Sequence, residues 1–333
     1  MTVSDPPSAT WKVLALPPLP ESVLRGLLAG LGDRVELSVP ARHDRPALLE
    51  ALPDAEIVIG DWSGALALDA EAVRHAPRLA FVQQPGVGVE GHDLEALRAA
   101  GVPLANAAGV NTLAVAEWCV AAALAVLRRL AEGDRGMRAG EWPQLTLSRR
   151  ELAGARVGIA GFGPIGAACA RLFGALGCQV SYWSRSARSE SYGAAYLGLD
   201  DLVASSDVLV LVVPLTAETR GMLDERRLAA MPTGSIVVNA ARGGLVDHAA
   251  LLTAVESGHL AGAALDVYDP EPPAAGDPIR ACDRILLSPH AAGATSQATG
   301  RLIECVIGNL GAAVAGRPVV NVVNGVDPLV IRR

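Results

Sequence analysis

Short apolar runs alternate with helix-like segments over most of this chain. In its first third the apolar runs predict strands, and the spacing of apolar positions predicts helices over 21–31 and 93–100, the second ending before Gly101. Strands that are separated by helical segments favour a parallel α/β sheet. The strands predicted in this region are 11–16, 35–39, 57–60, 79–83 and 102–106.

A second series of strands and helices begins at Arg156, and the tail over 295–315 predicts a last helix. Several of these strands carry Val, Ile and Leu on both faces, as expected for a sheet that helices cover on both sides. Six parallel strands with helices between them predict a doubly wound nucleotide-binding domain. The predicted strands are 156–160, 179–183, 208–213, 235–239, 262–266 and 285–288.

The segment between the two series is expected to link two domains. Residues 113–129 are rich in Ala and Leu and free of Gly and Pro, which predicts a long helix, and residues 133–150 are expected to form a loop. We therefore expect a substrate domain made of 1–106 with 294–333 and a dinucleotide-binding domain made of 107–293.

The composition excludes several classes of protein. Apolar residues make up 51% of the 333 positions and charged residues 19%, which excludes a disordered or coiled-coil chain. The formal net charge of −7 offers no excess of positive charge for a nucleic-acid backbone. Residues 1–20 lack a basic patch followed by an apolar run, and no apolar run is long enough to span a membrane. We therefore expect a soluble cytoplasmic protein with neither nucleic-acid nor membrane partners.

A metal site is not expected from the cysteines or from most of the histidines. The five cysteines are scattered, odd in number and without a C-x-x-C pair, so core positions are a better interpretation than a disulfide framework or a zinc site. Five histidines lack metal-ligand spacing and are expected to be structural or exposed. These are His43, His75, His92, His248 and His259.

A glycine-rich loop follows the first strand of the second series. Residues 161–166 match G-x-G-x-x-G, with a predicted strand directly before the loop and a predicted helix directly after it. Gly161 would allow a tight turn, Gly163 the approach of a pyrophosphate, and Gly166 the packing of the helix on the strand. This context predicts a dinucleotide site, and glycines that serve packing alone are the alternative.

The end of the next strand carries no acidic residue. NAD-binding chains place Asp or Glu there for the ribose hydroxyls, whereas this chain has Ser184, Arg185 and Ser186. An acid would repel a 2′-phosphate, but a hydroxyl and a guanidinium could bind one. We therefore expect NADP to be preferred. The alternative is use of NAD, with Arg185 directed to solvent.

Three later strand ends carry polar residues that could act together, because ligands bind at the carboxyl ends of the strands in an open α/β sheet. Arg242 could bind a substrate carboxylate with two parallel hydrogen bonds. His290 could protonate the oxygen that forms when a hydride reaches a carbonyl carbon. Glu271 could hydrogen-bond the far nitrogen of His290 and fix its tautomer, and Asp266 could hold the nicotinamide amide. The set predicts reduction of a 2-oxo acid, and separate structural roles for each residue are the alternative.

These motifs resemble those of the D-isomer-specific 2-hydroxyacid dehydrogenase family, and the resemblance covers nearly the whole chain. It implies a Rossmann-type dinucleotide-binding domain, a smaller flavodoxin-like α/β substrate domain, a homodimer, and Arg242, Glu271 and His290 as the catalytic residues. The motifs that carry it are the mid-chain glycine loop, 214–216 with Thr219, 239–243, 266–267 with 271–272, and 289–290.

The resemblance also implies which residues bind the ligands. The substrate would contact the backbone N–H groups of Val87 and Gly88 together with Arg242 and His290. The dinucleotide would contact the glycine loop and the strand ends after it: Gly161, Phe162, Gly163, Pro164, Ile165, Gly166, Ser184, Arg185, Ser186, Val213, Pro214, Thr219, Ala240, Ala241, Arg242, Asp266, His290 and Gly293.

Departures from the family pattern narrow the expected function. Glu90 stands where the family usually has Asp, and Ser184-Arg185 stands where it usually has an acid, which resembles the NADPH-dependent glyoxylate/hydroxypyruvate reductases. Formate dehydrogenases have Gln at the position of Glu271, and phosphite dehydrogenases have Lys at the position of Val87. Neither of these two activities is therefore expected. We expect reduction of a small 2-oxo acid of the glyoxylate, hydroxypyruvate, arylpyruvate or alkylpyruvate class to the D-2-hydroxy acid. The alternative is a nucleotide-sensing binding protein like the corepressors related to this family.

Overall fold

The computed structural model describes residues 10–333, in which short strands alternate with helices. The strands before the glycine loop are β1 (Trp11–Ala15), β2 (Val35–Ser38), β3 (Ile57–Ile59), β4 (Phe81–Gln83) and β5 (Leu104–Ala105). The later strands are β6 (Arg156–Ala160), β7 (Gln179–Trp183), β8 (Ala195–Tyr196), β9 (Val208–Leu211), β10 (Ile236–Asn239), β11 (Gly262–Leu265) and β12 (Ile285–Leu287).

The helices between the strands are mostly short. They are α1 (Glu21–Leu28), α2 (Arg45–Ala51), α3 (Ala70–Arg74), α4 (Leu94–Ala99), α5 (Thr112–Leu127), α6 (Leu130–Arg138), α7 (Pro164–Ala175), α8 (Leu199–Ser205), α9 (Glu225–Ala230), α10 (His248–Glu256) and α11 (Ser296–Val314). Within residues 10–333, no helix has the length and the apolar character needed to cross a membrane.

The chain divides into two compact units. The first comprises the described residues up to Val110 together with Ser296–Arg333, and the second comprises Asn111–Thr295. The first unit contains one parallel sheet with the strand order β2-β1-β3-β4-β5, which is the flavodoxin-like order. The roles of the units as substrate domain and dinucleotide-binding domain stay predictions.

The second unit contains a parallel sheet with the order β12-β11-β10-β9-β6-β7-β8. The order reverses at β6, as in doubly wound dinucleotide-binding folds, and the predicted α/β class is confirmed. All six predicted strands are present, but a seventh, β8, was not predicted. β8 has two exposed residues, so no apolar run indicates it.

Side chains of the central strands alternate between two cores. All four residues of β9 are buried: Val208 and Val210 pack on one face of the sheet, and Leu209 and Leu211 on the other. Successive residues of a strand point to opposite faces, so helices must cover both sides. On one side this cover is provided by α5, which packs against α7, β10 and β11.

Aspartates start many of the helices. An Asp side chain at the N-cap accepts a hydrogen bond from the third residue of the helix, which satisfies one of the free N–H groups at a helix start. The capping residues are Asp44, Asp69, Asp93, Asp224 and Asp247 for α2, α3, α4, α9 and α10.

The expectation of a loop over 133–150 is wrong for its first residues, because α6 extends to Arg138. The glycines within α6 suggested a loop, yet Gly136 is buried where a methyl group would lie 3.1 Å from Glu141 and 3.2 Å from Pro143. Arg129, with φ of 53°, separates α6 from α5. Tight packing therefore explains a glycine that lowers intrinsic helix propensity.

Candidate active site

The glycine loop joins β6 to α7 with the geometry of an anion site. Gly161 has φ of 105°, and a Cβ there would lie 2.6 Å from the carbonyl oxygen of Val212, so only glycine fits. A Cβ on Gly166 would overlap the carbonyl oxygen of Gly161. Gly163, the N-cap of α7, has no atom within 4 Å of its Cβ position. The first and last glycines therefore serve close packing, and the middle one leaves open space at a helix N-terminus, which fits a pyrophosphate.

Phe162 has a role that the motif alone does not show. Its ring is buried and stacks on Tyr182, with the ring centroids 3.9 Å apart. The side chain therefore belongs to the core, and any contact of Phe162 with a dinucleotide involves its backbone.

The turn after β7 presents a guanidinium to solvent. Ser184 is buried, and its hydroxyl donates to the carbonyl oxygen of Ser186 at 2.6 Å. Arg185 is exposed, as is Arg188, whose backbone N–H donates to the Tyr182 hydroxyl at 2.8 Å. The turn is thus internally hydrogen-bonded and carries two exposed guanidinium groups.

The loop after β9 is closed by Thr219. The Thr219 hydroxyl donates to the carbonyl oxygen of Pro214 at 2.8 Å and accepts from the N–H of Thr216 at 2.8 Å. Val213 is buried, with its Cγ1 2.8 Å from the position a Cβ on Gly161 would take. These contacts place Val213 and the start of the loop beside the glycine loop.

Asn239 shapes the turn that carries Arg242. The Asn239 side chain is fully buried, donates to the carbonyl oxygen of Arg242 at 3.0 Å and accepts from the N–H of Ala241 at 3.1 Å. The Arg242 guanidinium donates to the carbonyl oxygen of Ala241 at 2.7 Å. Gly243 packs directly against the backbone of Tyr268, so the Arg242 turn lies on the segment that follows β11.

Asp266 organises the loop that carries His290. Asp266 is buried, and its Oδ1 accepts from the Ser288 hydroxyl at 2.6 Å and from the Ala291 N–H at 2.7 Å. Its Oδ2 accepts from the Ala292 N–H at 2.9 Å, and its carbonyl oxygen accepts from the His290 N–H at 2.8 Å. This role was not foreseen from the sequence, and direct contact of Asp266 with a nicotinamide stays a prediction.

Glu271 and His290 form the hydrogen bond expected from their chemistry. Oε2 of Glu271 lies 2.7 Å from Nδ1 of His290, and Oε1 accepts from the Tyr268 N–H at 2.8 Å. The His290 side chain is 52% exposed, and its backbone has φ of 54°, a left-handed conformation that few side chains adopt. The far nitrogen, Nε2, is therefore the one placed to exchange a proton with a ligand.

Gly293 lies against the start of α5. A Cβ on Gly293 would lie 2.8 Å from Nδ2 of Asn111, so the segment after His290 packs closely on the residue that begins this helix. Within the second unit, the Arg242 turn packs on Tyr268, whose N–H binds the carboxylate that contacts His290, and Asp266 holds the loop after His290.

The loop containing Val87 and Gly88 belongs to the first unit and follows β4. The carbonyl oxygen of Val87 accepts from the Asn106 side chain at 2.8 Å, and the Val87 side chain is 39% exposed. At the base of this loop, Gln84 accepts from His92 Nε2 at 2.8 Å. Burial lowers the pKa of His92 to about 4, so the ring is neutral at neutral pH.

A buried carboxylate holds the neighbouring loop after β3. Asp61 accepts from the Ser63 hydroxyl at 2.6 Å, from the Leu66 N–H at 3.0 Å, and lies 3.1 Å from Nε2 of His43. Burial alone would raise the pKa of Asp61, but these hydrogen bonds outweigh burial and lower it. The hydrogen-bonded turn presents Trp62, which is 47% exposed.

Two further histidines outside the candidate site lie against backbone carbonyl groups. His75 and His259 lie within hydrogen-bond distance of the carbonyl oxygens of Glu71 and Leu228. Over the described residues, no group of three or more His, Cys, Asp or Glu side chains could hold a metal ion.

Comparison with known families shows to which family the chain belongs. A family model for the D-isomer specific 2-hydroxyacid dehydrogenase, NAD binding domain, matches residues 120–292, more than half of the chain. The chain belongs to this dehydrogenase family. The resemblance drawn from the motifs is thereby confirmed, and the match contains the glycine loop and the strand ends that carry Arg242, Glu271 and His290.

Individual dehydrogenases extend the similarity beyond that domain. D-3-phosphoglycerate dehydrogenase of Mycobacterium leprae is 36% identical over 91% of this chain and 58% of its own length. Glyoxylate reductase of Aeropyrum pernix is 38% identical over 77% of this chain and 80% of its own length. The holo structure of D-mandelate dehydrogenase from Rhodotorula graminis is 25% identical with a TM-score of 0.86, covering 95% of this chain and 98% of that one. The chain spans little more than half the length of the phosphoglycerate dehydrogenases that it matches.

Proposed function

We propose that this dehydrogenase reduces a small 2-oxo acid to the D-2-hydroxy acid with NADPH or NADH. The observation that carries the proposal is the 2.7 Å contact between Glu271 and His290, at the carboxyl edge of the sheet whose β6 leads into the glycine loop. An imidazole oriented by a carboxylate is suited to general acid–base chemistry.

The chain's own residues divide the chemistry between them. His290 donates Nδ1–H to Glu271, so Nε2 holds the proton that the substrate oxygen receives. Arg242 binds the substrate carboxylate, and its tether to the Ala241 carbonyl fixes its direction. The nicotinamide, when bound, supplies the hydride. Asp266 holds the His290 loop in place so that proton transfer needs no rearrangement.

The residues around the glycine loop fit a dinucleotide. The open space at Gly163 and the N-terminus of α7 would take the pyrophosphate. Val213 and Pro214 follow β9 at the same sheet edge, beside β6. We assign the cofactor contacts to the residues that the family resemblance implies, with Phe162 contributing only its backbone.

NADPH is the preferred cofactor in this proposal. Arg185 and Arg188 are both exposed on the turn after β7, where an adenosine ribose is bound in dinucleotide folds. Two guanidinium groups favour a 2′-phosphate, and residues 184–188 contain no carboxylate to repel one. The buried Ser184 hydroxyl supports the turn through its bond to Ser186.

The proposed substrates are glyoxylate, hydroxypyruvate and alkyl- or arylpyruvates. Trp62 and Val87 are exposed on loops that follow β3 and β4, and such side chains suit an uncharged or apolar substituent better than a phosphate. The test is to follow oxidation of NADPH and NADH with these acids and with 3-phosphohydroxypyruvate. Cofactor binding without turnover of any acid would reject the proposal and favour the nucleotide-sensing alternative.

We also propose a homodimer formed through α6 and the segment after it. Four large apolar side chains there are exposed: Leu130 (58%), Met137 (51%), Trp142 (73%) and Leu145 (92%). Apolar surface concentrated in this way marks an interaction site, and a second copy would cover it. Light scattering should give twice the chain mass, and Trp142→Lys should shift the equilibrium toward the monomer. A monomeric wild type would contradict this assembly.

All five cysteines are free thiols. Two of them, Cys119 and Cys169, are buried, and none pairs in a disulfide. This usage supports the cytoplasmic location that we propose, because disulfides accumulate in oxidising compartments.

A further inference from the structure

We propose that Tyr268 is a positioning residue that keeps the proton donor His290 and its carboxylate partner Glu271 in the correct relative position. This inference rests on the proposed function and adds a residue to it. Tyr268 contacts Glu271 through its backbone N–H, and through its hydroxyl it contacts Ser288, two residues before His290. No role for it was predicted from the sequence, since the only signal was its place two residues after Asp266.

The hydroxyl of Tyr268 fixes the peptide groups of Ser288. It lies 2.9 Å from the Ser288 carbonyl oxygen and accepts from the Ser288 N–H at 3.2 Å. The Leu265 carbonyl oxygen lies farther away, at 3.1 Å. A phenol has one hydrogen to donate, and the shorter contact gives it to Ser288, two residues before His290. Burial raises the pKa of the Tyr268 phenol, so it stays a donor at neutral and moderately alkaline pH.

The backbone of Tyr268 fixes Glu271. Its N–H donates to Oε1 of Glu271 at 2.8 Å, while Oε2 of the same carboxylate faces His290 at 2.7 Å. Each oxygen of the carboxylate therefore has its own partner, and the plane of the carboxylate is determined by the two bonds together.

The position of Tyr268 is itself determined by the Arg242 turn. Gly243 packs on the Tyr268 backbone, and the ring lies edge-on to His248 with centroids 6.4 Å apart. One residue thus links the turn of the carboxylate-binding arginine to the acid–base pair. Because a shift of about 1 Å in a catalytic group can cost about a hundredfold in rate, this link matters for turnover.

The test is Tyr268→Phe, which deletes one oxygen and keeps the ring. We expect kcat to fall about tenfold while KM changes less than about twofold, because the hydroxyl touches the His290 loop and not the substrate. The pH–rate profile of reduction should change as well, because the Tyr268 hydroxyl holds the loop that carries the acid–base residue. Tyr192→Phe is the matched control, since Tyr192 is 46% exposed and packs against Arg171. It should leave both kcat and the pH profile unchanged.

A double-mutant cycle separates positioning from general destabilisation. If Tyr268 acts through the pair, Tyr268→Phe should cost less than about twofold in a Glu271→Gln background. Additive losses, or a Tyr268→Phe enzyme with unchanged kcat and pH profile, would overturn the inference. Thermal unfolding and NADPH titration of each variant show whether the fold and the dinucleotide site are intact.

A substrate-free readout distinguishes this inference from the proposed function. In the nitrogen-15 NMR spectrum, the Nδ1–H signal of His290 reports its hydrogen bond to Glu271 directly. We expect this signal to shift or broaden in Tyr268→Phe and to stay unchanged in Tyr192→Phe. An unchanged signal overturns the inference even in an active enzyme. A wild type without turnover of any 2-oxo acid rejects the proposed function, whatever the spectrum shows.

Discussion

The carboxylate of Asp266 accepts the hydroxyl of Ser288 at 2.6 Å, and two backbone N–H groups after His290 converge on the same carboxylate. A buried side chain thus holds an exposed loop from beneath. Asp266→Asn exchanges one carboxylate oxygen for an NH₂ group, which would face a hydrogen-bond donor of the His290 loop and could not accept its hydrogen. We expect a loss of about 2 kcal/mol or more in stability together with reduced kcat. Thermal unfolding and turnover measure the two effects.

Asp224→Asn is the control for that variant. Asp224 also accepts a backbone N–H, from Arg227 at the start of α9, but an asparagine oxygen can cap a helix as well as a carboxylate does. Equal losses in the two variants would show that Asp266 has no special place in the His290 loop.

Replacing either member of the acid–base pair should reduce turnover more than binding. His290→Asn should lower kcat about a thousandfold and Glu271→Gln about tenfold to a hundredfold. Asn is chosen because it tolerates the left-handed backbone found at His290. Steady-state assays give kcat, and fluorescence titration with NADPH checks that cofactor affinity stays within about threefold. A His290→Asn enzyme with nearly full activity would contradict the assigned role.

Substitution by alanine should have different effects at the middle glycine of the motif, Gly163, and at the last one, Gly166. Gly163→Ala places a methyl group in open space, so unfolding temperature should hold while NADPH affinity falls about tenfold. Gly166→Ala forces a methyl group onto the Gly161 carbonyl and should destabilise the fold by about 1–3 kcal/mol. Calorimetry and cofactor titration of both variants test the contrast. A Gly163→Ala protein with unchanged affinity would place the pyrophosphate elsewhere.

The turn after β7 should control the choice of cofactor. Arg185→Asp replaces an exposed guanidinium with a carboxylate, so we expect kcat/KM with NADPH relative to NADH to fall about tenfold or more. Arg226→Asp makes the same change of charge at an exposed site paired with Asp200 and should leave the ratio unchanged. An unaltered preference in Arg185→Asp would reject the NADP assignment.

Acid should destabilise the first unit through His92. Its pKa is lowered from 6.5 to about 4 by burial, against a smaller opposing effect of Asp61. The native state therefore binds fewer protons than the unfolded chain below about pH 6.5, and stability falls as the pH drops toward about 4. Between about pH 7 and about pH 4.5, His92→Gln should lose about 2 kcal/mol less free energy of unfolding than the wild type. Chemical denaturation at both pH values measures it.

His75→Gln serves as the control for the acid experiment, because that imidazole is exposed at the end of α3. Its acid sensitivity should match that of the wild type. If His92→Gln and the wild type lose the same stability on acidification, the buried ring is not the responsible group.

Most of the fold could be predicted from the sequence because its signals are local. Apolar runs indicate β6, β9 and β10, and the glycine spacing indicates the turn at Gly161. The exceptions, β8 and α6, have physical reasons: β8 is two exposed residues, and α6 contains glycines that packing requires. Neither an exposed edge nor a packing constraint leaves a periodic pattern in the sequence.

The reacting residues of the candidate site could be predicted from the sequence, but the residues that hold them in position could not. Arg242, Glu271 and His290 stand at strand ends, where a parallel sheet gathers ligand-binding residues. The contacts of Asp266 and Tyr268 join residues 20 or more positions apart to the His290 loop. Such contacts depend on tertiary packing, so no spacing rule reveals them.

The all-buried character of β10 has a consequence for how Arg242 is placed. Apolar side chains of β10 face both sides of the sheet. If the strand slipped by one residue against its neighbours, apolar side chains would still be buried on both faces, so hydrophobic burial alone does not fix the register of the strand. The side-chain amide of Asn239 does not fix the alignment either, because both of its partners lie in the turn that follows the same strand and would move with it. Asn239 instead ties the Arg242 turn to the end of β10, so a change at Asn239 would misdirect the guanidinium while the backbone pairing of the strand stays in place.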